Sequence, residues 1–298
     1  MSSPEAAPSA LPLTAEERRA RKAARREKQR EANLGRALRM HEARKQSTLA
    51  GLSPDKEPPR INVGCSGWFY WHWRDTFYQG GLPTKEWFPK YREHFKTVEL
   101  NAPFYSWPTT HAVKLWQTQA GEAAFHYTVK VCELITHVKR FVGTKTLVRD
   151  FGYIADLLDI RMGCFLFQLP PSYDFTPSRL KSIAGQLDPA RRNVVEFRHK
   201  SWWNPKVYDA FRHCGIIFCS CSGPRLPDDL VVTADDIYLR FHGVKQWYHH
   251  NYSDAELSLW HRKVAAGRPQ RIWAYFNNDR EGWAVKNALR FRSLLEAP

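Results

Sequence analysis

NVVEFRH, residues 193–199, is a short apolar run that ends on charge, and its alternation decides the fold. Successive side chains of a strand point to opposite faces, so Glu196 and Arg198 share one face and Phe197 takes the other. The same construction recurs in TVELN (97–101), HYTVKV (126–131), CFLFQLPP (164–171), IIFCSCS (216–222), IYLRFHG (237–243) and IWAYFNN (272–278). An eighth run, INVGCSGW (61–68), precedes them. Between the runs lie segments with helical patterning, and several helix starts can be read directly. Thr176 stands before Pro177, Asn204 before Pro205, and Ser253 pairs with Glu256 as a capping box. Strands alternating with helices predict a parallel sheet. Eight such units over residues 61–298 predict an α/β fold, a (β/α)8 TIM-type barrel. A doubly wound open sheet is the alternative, but it has no reason to place polar residues at seven strand ends.

Residues 1–60 are of a different kind. All 12 Trp, 12 Tyr and 17 Phe fall after residue 60, so the first part cannot build a core alone. It holds 14 Lys plus Arg against 8 Asp plus Glu, net +6 of the chain's +15. Thr14 to Gln46 is rich in Ala, Arg, Lys and Glu, with Thr14 and Glu17 spaced as a capping box. It lacks a sustained apolar stripe, so the expectation is a basic arm, disordered or partly helical. Pro54, Pro58 and Pro59 read as a linker. The expected division is an arm at 1–60 and a barrel domain at 61–298. Such an arm suits phosphates through counterion release, so nucleic acid is a candidate partner through residues 14–46. Glu5, Glu16, Glu17, Glu27 and Glu31 argue against a transit peptide.

No run reaches the ~18 apolar residues of a membrane span, and the expected location is cytoplasmic. Six cysteines are present, five of them in predicted strands, where Cys commonly fills core space. Cys219 and Cys221 share a face. Cys214, Cys219 and Cys221 offer three thiolates without a recognisable fourth ligand, so neither a metal nor another cofactor is expected.

Strand parity names a site. Glu99 pairs with Asn101, Glu196 with Arg198, Arg240 with Tyr238 and His242, and Asn277 with Tyr275, while Leu100, Phe197, Phe241 and Phe276 face the helices. The polar set, with Lys130 and Gln168, therefore points into the barrel at the strands' carboxyl ends, where barrel enzymes place their chemistry. Ser220 and Ser222 close the sixth run. A buried ion-pair layer of Glu99 and Glu196 against Lys130, Arg198 and Arg240 is the other reading, but such layers seldom add net stability. Three cations against two carboxylates attract a phosphate or carboxylate. A metal site from His137, His199, His242, Glu99, Glu196 and Asp279 lacks any spaced motif. Aromatic residues crowd the same loops, among them Trp68, Tyr105 and Trp202, and flat rings beside cations stack sugars or bases.

From Ile61 to about Leu295 the chain resembles the YecE-like family, domain of unknown function 72. The words that carry the resemblance are GCSGWFYWHW with Phe77 and Tyr78, TVELNAPFY, ITH at 135–137, LFQLPP, VEFRHKSWW, TADDIYLRFHG, YSDAEL and AYFNND. It implies a TIM-type barrel with a pocket at its strand ends and brings no established reaction. Family members often carry an acidic residue near the end of the sixth strand, where this chain has CSCSGPRLP.

The functional expectation is an enzyme of hydrolase, lyase or isomerase type acting on an anionic sugar-like or nucleotide-like substrate. Glu99 and Glu196 are the candidate acid and base and His242 a proton shuttle. Lys130, Arg198 and Arg240 hold the anion, and Asn101, Gln168 and Asn277 orient hydroxyl groups. The alternatives are a nucleic-acid-binding protein, with or without phosphodiester cleavage, that uses arm and barrel mouth together, and a noncatalytic small-anion-binding module.

Overall fold

A computed structural model describes residues 14–49 and 58–297. Eight parallel strands form a nearly closed barrel: β1 (Ile61–Cys65), β2 (Thr97–Leu100), β3 (His126–Lys130), β4 (Met162–Gln168), β5 (Asn193–Glu196), β6 (Ile217–Ser222), β7 (Asp236–Phe241) and β8 (Arg271–Phe276). Each pairs with its sequence neighbour from β2 to β8, and β8 returns to β1 in register from Ile61 with Ile272 to Cys65 with Phe276. The seam between β1 and β2 is closed by a side chain. Tyr91 accepts from the Cys65 N–H at 2.9 Å and donates to the Thr97 carbonyl at 3.0 Å. Gly64 permits this close approach, since a Cβ there would lie 2.4 Å from the Thr97 carbonyl oxygen.

The helices are α1 (Ala15–Lys45), α2 (Trp87–His94), α3 (Ala102–Tyr105), α4 (Thr110–Gln119), α5 (Lys145–Leu158), α6 (Pro177–Ala184), α7 (Pro205–Cys214), α8 (Asp254–Gly267) and α9 (Trp283–Glu296). Thr176, Asn204 and Ser253 cap α6, α7 and α8 with their side chains, satisfying backbone N–H groups that the first turn leaves without partners. The β6–β7 connection departs from the expected eight units. Residues 223–235, broken by Pro224 and Pro227, contain no helix. They lie against β6 instead, with Val231 N–H donating to Ser220 Oγ and Phe218 N–H to Thr233 Oγ1. Among the described residues no helix is long and apolar enough to cross a membrane.

The arm is partly helical, the second of the two expected alternatives, and its docking on the barrel is the new feature. Residues 15–45 form one helix of 31 residues, started by the Thr14–Glu17 capping box. Its second half docks on the barrel. Ala37 and Met40 join the core, and buried Asn33 donates to the Tyr105 carbonyl at 3.0 Å and accepts from the Trp107 N–H at 2.9 Å. Arg44 and His41 both reach buried Asp150 of α5, at 2.8 and 3.1 Å. Every residue from Ala15 to Lys28 is exposed. The expected linker is described only at Pro58 and Pro59, of which Pro58 is buried; Pro54 lies outside the described residues.

Candidate functional site

The barrel interior is built in layers. The lowest is apolar: Cys164, Leu166, Val194, Ile217, Cys219, Tyr238, Trp273 and Tyr275 pack together, with the Tyr275 hydroxyl bonded to Thr97 at 2.6 Å and Thr128 at 2.9 Å. Leu100, Phe197, Phe241 and Phe276 belong to the separate cluster outside the barrel, so side-chain parity runs as the alternation requires.

Above that layer lies a buried lattice of charge. Arg240, 1 % exposed, donates from Nη2 to Glu99 at 2.5 Å and from Nη1 to Glu196 at 2.6 Å. Glu99 also accepts from Ser66 Oγ at 2.8 Å and the Tyr238 hydroxyl at 2.6 Å. Glu196 also accepts from Arg198 Nε. Burial alone would raise the Glu196 carboxyl, but Arg198 and Arg240 outweigh it and hold the group well below the usual carboxylate range. Glu196 therefore sits as an anion between the guanidinium groups of Arg198 and Arg240, and Glu99 is held against Arg240, the arrangement of a buried ion-pair layer.

His242, fully buried, lies over this lattice. Its Nε2 accepts from Arg198 Nη2 at 3.0 Å, and its Nδ1 lies 3.4 Å from Asn277 Nδ2. Burial and then Arg198 and Arg240 push its pKa well below the ordinary histidine value. The ring is an acceptor held neutral.

Over the lattice the mouth opens into a cleft of ≈ 920 Å³, lined on one side by Asn101, Tyr105 and Lys130 and on the other by His72, Asn277 and Asp279. Lys130 stands out. Its ammonium lies 4.0 Å over the ring of Phe104, and among the described residues no carboxylate comes within salt-bridge distance of it. Glu99, Glu196, Arg198 and Arg240 sum to zero charge, so Lys130 is the surplus cation of the set. Burial and then Arg240 lower its pKa from 10.5 to about 7, against the pull of Glu196 and Glu99. Across the cleft, Asp279 accepts from Trp73 Nε1 at 2.7 Å and meets His72 Nε2 at 2.8 Å. Burial raises this carboxyl to about 6 in spite of both partners. A smaller recess of ≈ 450 Å³ adjoins, lined by Gln168, Arg198, Trp247 and Tyr248, with Arg198 4.3 Å from the Trp247 ring.

The structure thus gathers Glu99, Asn101, Lys130, Gln168, Glu196, Arg198, Arg240, His242, Asn277 and Tyr105 at one end of the barrel. Two expected aromatic contacts lie elsewhere. Trp202 is fully buried, stacked on Phe197 at 3.9 Å outside the barrel, and Trp68 packs on Phe88 at 4.7 Å. Ser220 and Ser222 have the outward parity, while Cys219 and Cys221 point inward. His199 bonds Ser201 at 2.8 Å, away from the lattice. Among the described residues one trio of donors, Glu196, Cys219 and Cys221, comes within 4.8 Å. Both Glu196 oxygens are already engaged by guanidinium groups, and burial raises the Cys219 thiol well above its ordinary value. That set suits a cation poorly.

The His72–Asp279 pair was not among the sequence-derived catalytic residues. The WHW triplet and the FNND end of β8 are far apart in sequence, and Asp279 lies beyond the last residue of β8, so no local pattern joins it to His72.

The family model described as a protein of unknown function, DUF72, matches residues 62–298. The chain belongs to the DUF72 family. Its DUF72 region is similar to the UPF0759 protein YunF of Bacillus subtilis (strain 168), 24% identical over 275 residues, covering 79% of this chain and 95% of that protein. Among solved structures, a DUF72 family protein of Thermotoga maritima MSB8 superimposes with a TM-score of 0.72 at 27% identity, covering 80% of this chain and 100% of that one. A DUF72 family protein of Enterococcus faecalis V583 gives a TM-score of 0.68 at 17% identity over 80% of this chain and 96% of that one, a likeness of fold. The match begins at Asn62, so α1 lies before the DUF72 region.

Proposed function

We propose that this DUF72 protein is an enzyme that binds a small anionic sugar-like or nucleotide-like substrate at the barrel mouth and transfers a proton on it. One observation carries the reading: Lys130 is a half-buried ammonium that, among the described residues, has no carboxylate within salt-bridge distance, beside a lattice of Glu99, Glu196, Arg198 and Arg240 whose charges cancel. An ammonium left unpaired in a desolvated site is costly, and a bound phosphate or carboxylate removes that cost. Arg198, at the edge of the adjoining recess, supplies a second guanidinium face. Asn101 Oδ1, buried and without a donor among the described residues, offers an acceptor to a substrate hydroxyl.

The proton-transfer roles follow from which groups change charge near neutrality. Lys130 at about 7 and Asp279 at about 6 do so, and general acids and bases work best in that range. Glu196 and Arg240 serve as the electrostatic floor, with Glu99 beside them, and His242 keeps Arg198 oriented. The initial assignment of acid and base to Glu99 and Glu196 therefore passes to Lys130 and Asp279.

The test is a panel of sugar phosphates, sugar acids and nucleoside monophosphates incubated in deuterated buffer and followed by NMR. Conversion of, or deuterium incorporation into, at least one member is expected, and Lys130→Met and Asp279→Asn should each abolish it. Binding without any exchange or conversion across the panel would identify a noncatalytic anion-binding module instead.

A further inference from the structure

The face of α1 that docks on the barrel does not end where the barrel ends. Met40, Ala37 and Asn33 are its buried contacts, spaced three and four residues apart along one helix face. Continued toward the N-terminus at the same spacing, that face carries Arg30, Arg26, Lys22 and Arg19, all exposed. A stripe that is apolar or amide where it meets protein becomes wholly cationic where it leaves it. From Asn33 to Arg19 it runs about 20 Å. Glu17 and Glu31 stand a quarter turn or more away around the helix, while Glu16 and Glu27 flank the stripe about 60° from Arg19 and Arg30; Glu27 reaches Arg30 at 3.1 Å and Glu17 is engaged in the cap.

The stripe starts at the cleft. Asn33 and Gln29 both bond the carbonyl of Tyr105, and Tyr105 lines the cleft beside Lys130. Because the cationic side continues the docked side, it faces the same way as the barrel surface rather than open solvent behind the helix. Around the rim, large aromatic side chains are exposed: Tyr105 62 %, Trp71 58 %, Phe69 52 % and Tyr248 46 %, with Arg74 over one face of Trp71 at 4.5 Å and Phe69 against Trp87 at 4.9 Å. From Ala15 to Lys28 the helix has no apolar residue larger than Ala, so it has nothing to insert into a lipid surface. A cationic track leading to exposed rings is the combination that holds single strands, whose phosphates follow the track and whose bases stack.

We propose that α1 and the rim of the barrel form a binding site for single-stranded nucleic acid, with the strand's phosphates along Arg19, Lys22, Arg26 and Arg30 and one nucleotide delivered to the cleft. This rests on the cleft reading for the last nucleotide and names its substrate class as a nucleotide unit of a strand.

The experiment is fluorescence anisotropy on the full chain with a labelled single strand of about 20 nucleotides, longer than one site of ~4–16. A duplex of the same sequence and inorganic polyphosphate serve as competitors. Replacing Arg19, Lys22, Arg26 and Arg30 together by Gln should weaken single-strand binding at least about ten-fold and make its salt dependence shallower by about 3 in log–log slope, at ~0.7 per phosphate contact. Tyr105→Ala with Tyr248→Ala should remove the preference for a single strand over polyphosphate. Circular dichroism should show both variants folded, since the altered side chains are exposed. Absence of single-strand binding, binding unchanged by the four Gln substitutions, or duplex or polyphosphate bound as well as the single strand would each overturn the proposal. Binding of a nucleoside monophosphate, measured alongside, should be unaffected by the four substitutions and lost in Lys130→Met. If Lys130→Met leaves it unchanged the cleft reading fails, whatever the helix does.

Discussion

The ammonium of Lys130 rests 4.0 Å over the ring of Phe104 rather than against a carboxylate. The ring attracts the ammonium only weakly, and burial and then Arg240 outweigh it, leaving a lysine that gives up its proton easily.

Lys130 should therefore titrate near pH 7, as read from NMR of the labelled lysine side chain. The linkage has a definite sign. A lysine whose folded value is about 7 and whose ordinary value is 10.5 binds fewer protons folded than unfolded between the two. Its cost to stability is full below about 7 and disappears as pH rises toward 10.5. Lys130→Met should stabilise the protein at neutral pH by on the order of 2 kcal/mol, and the gain should shrink as pH is raised through that window. Chemical denaturation at several pH values measures it.

Arg240 holds two buried carboxylates at once. Arg240→Met should leave Glu99 without its cation and Glu196 with Arg198 alone, destabilising the barrel by about 3–5 kcal/mol. Restoring charge balance with Glu99→Gln in the same chain should recover part of the loss. Equal stability of Arg240→Met and the unaltered protein would show that the lattice is not a coupled unit.

α1 is held by polar contacts at defined points. Asn33→Ala removes the acceptor of the Trp107 N–H and the donor to the Tyr105 carbonyl, and should cost about 1–3 kcal/mol. Deleting residues 1–28 should shift the melting temperature little, because that half of α1 is exposed. Deleting residues 1–45 should lower it clearly, since it uncovers the surface under Ala37 and Met40 and leaves Asp150 without Arg44 and His41. A melting temperature unmoved by the longer deletion would show that the helix is not part of the barrel's stability.

Much of the barrel was legible because strand alternation is local. Glu196 and Arg198 face inward and Phe197 outward whatever surrounds them, and the caps at Thr176, Asn204 and Ser253 depend on neighbours three residues away. The docking of α1 was not legible. Its anchors are an asparagine, an alanine and a methionine, which make no apolar stripe, with Arg44 and His41 beyond them, and the partners of Asn33 (Tyr105, Trp107) and of Arg44 (Asp150) lie more than 60 residues along the chain. The IIFCSCS run shows the limit of reading polarity without parity: its serines are its polar residues, but its cysteines face the barrel interior. Likewise the charges of Glu99, Glu196, Arg198 and Arg240 were evident, but only their distances show that they neutralise one another and leave Lys130 over. Asp279 gained its raised pKa from burial under the loop of His72 and Trp73, a long-range contact that composition cannot announce.

The most direct test of the mouth as an anion site built on Lys130 is isothermal titration calorimetry with a nucleoside monophosphate at pH about 6 and about 9, on either side of the lysine's titration. The unaltered protein should bind at least about ten-fold more tightly at the lower pH, where the ammonium is protonated, and Lys130→Met should bind weakly at both. Binding that is equal at the two pH values, or as tight in Lys130→Met as in the unaltered protein, would contradict the account.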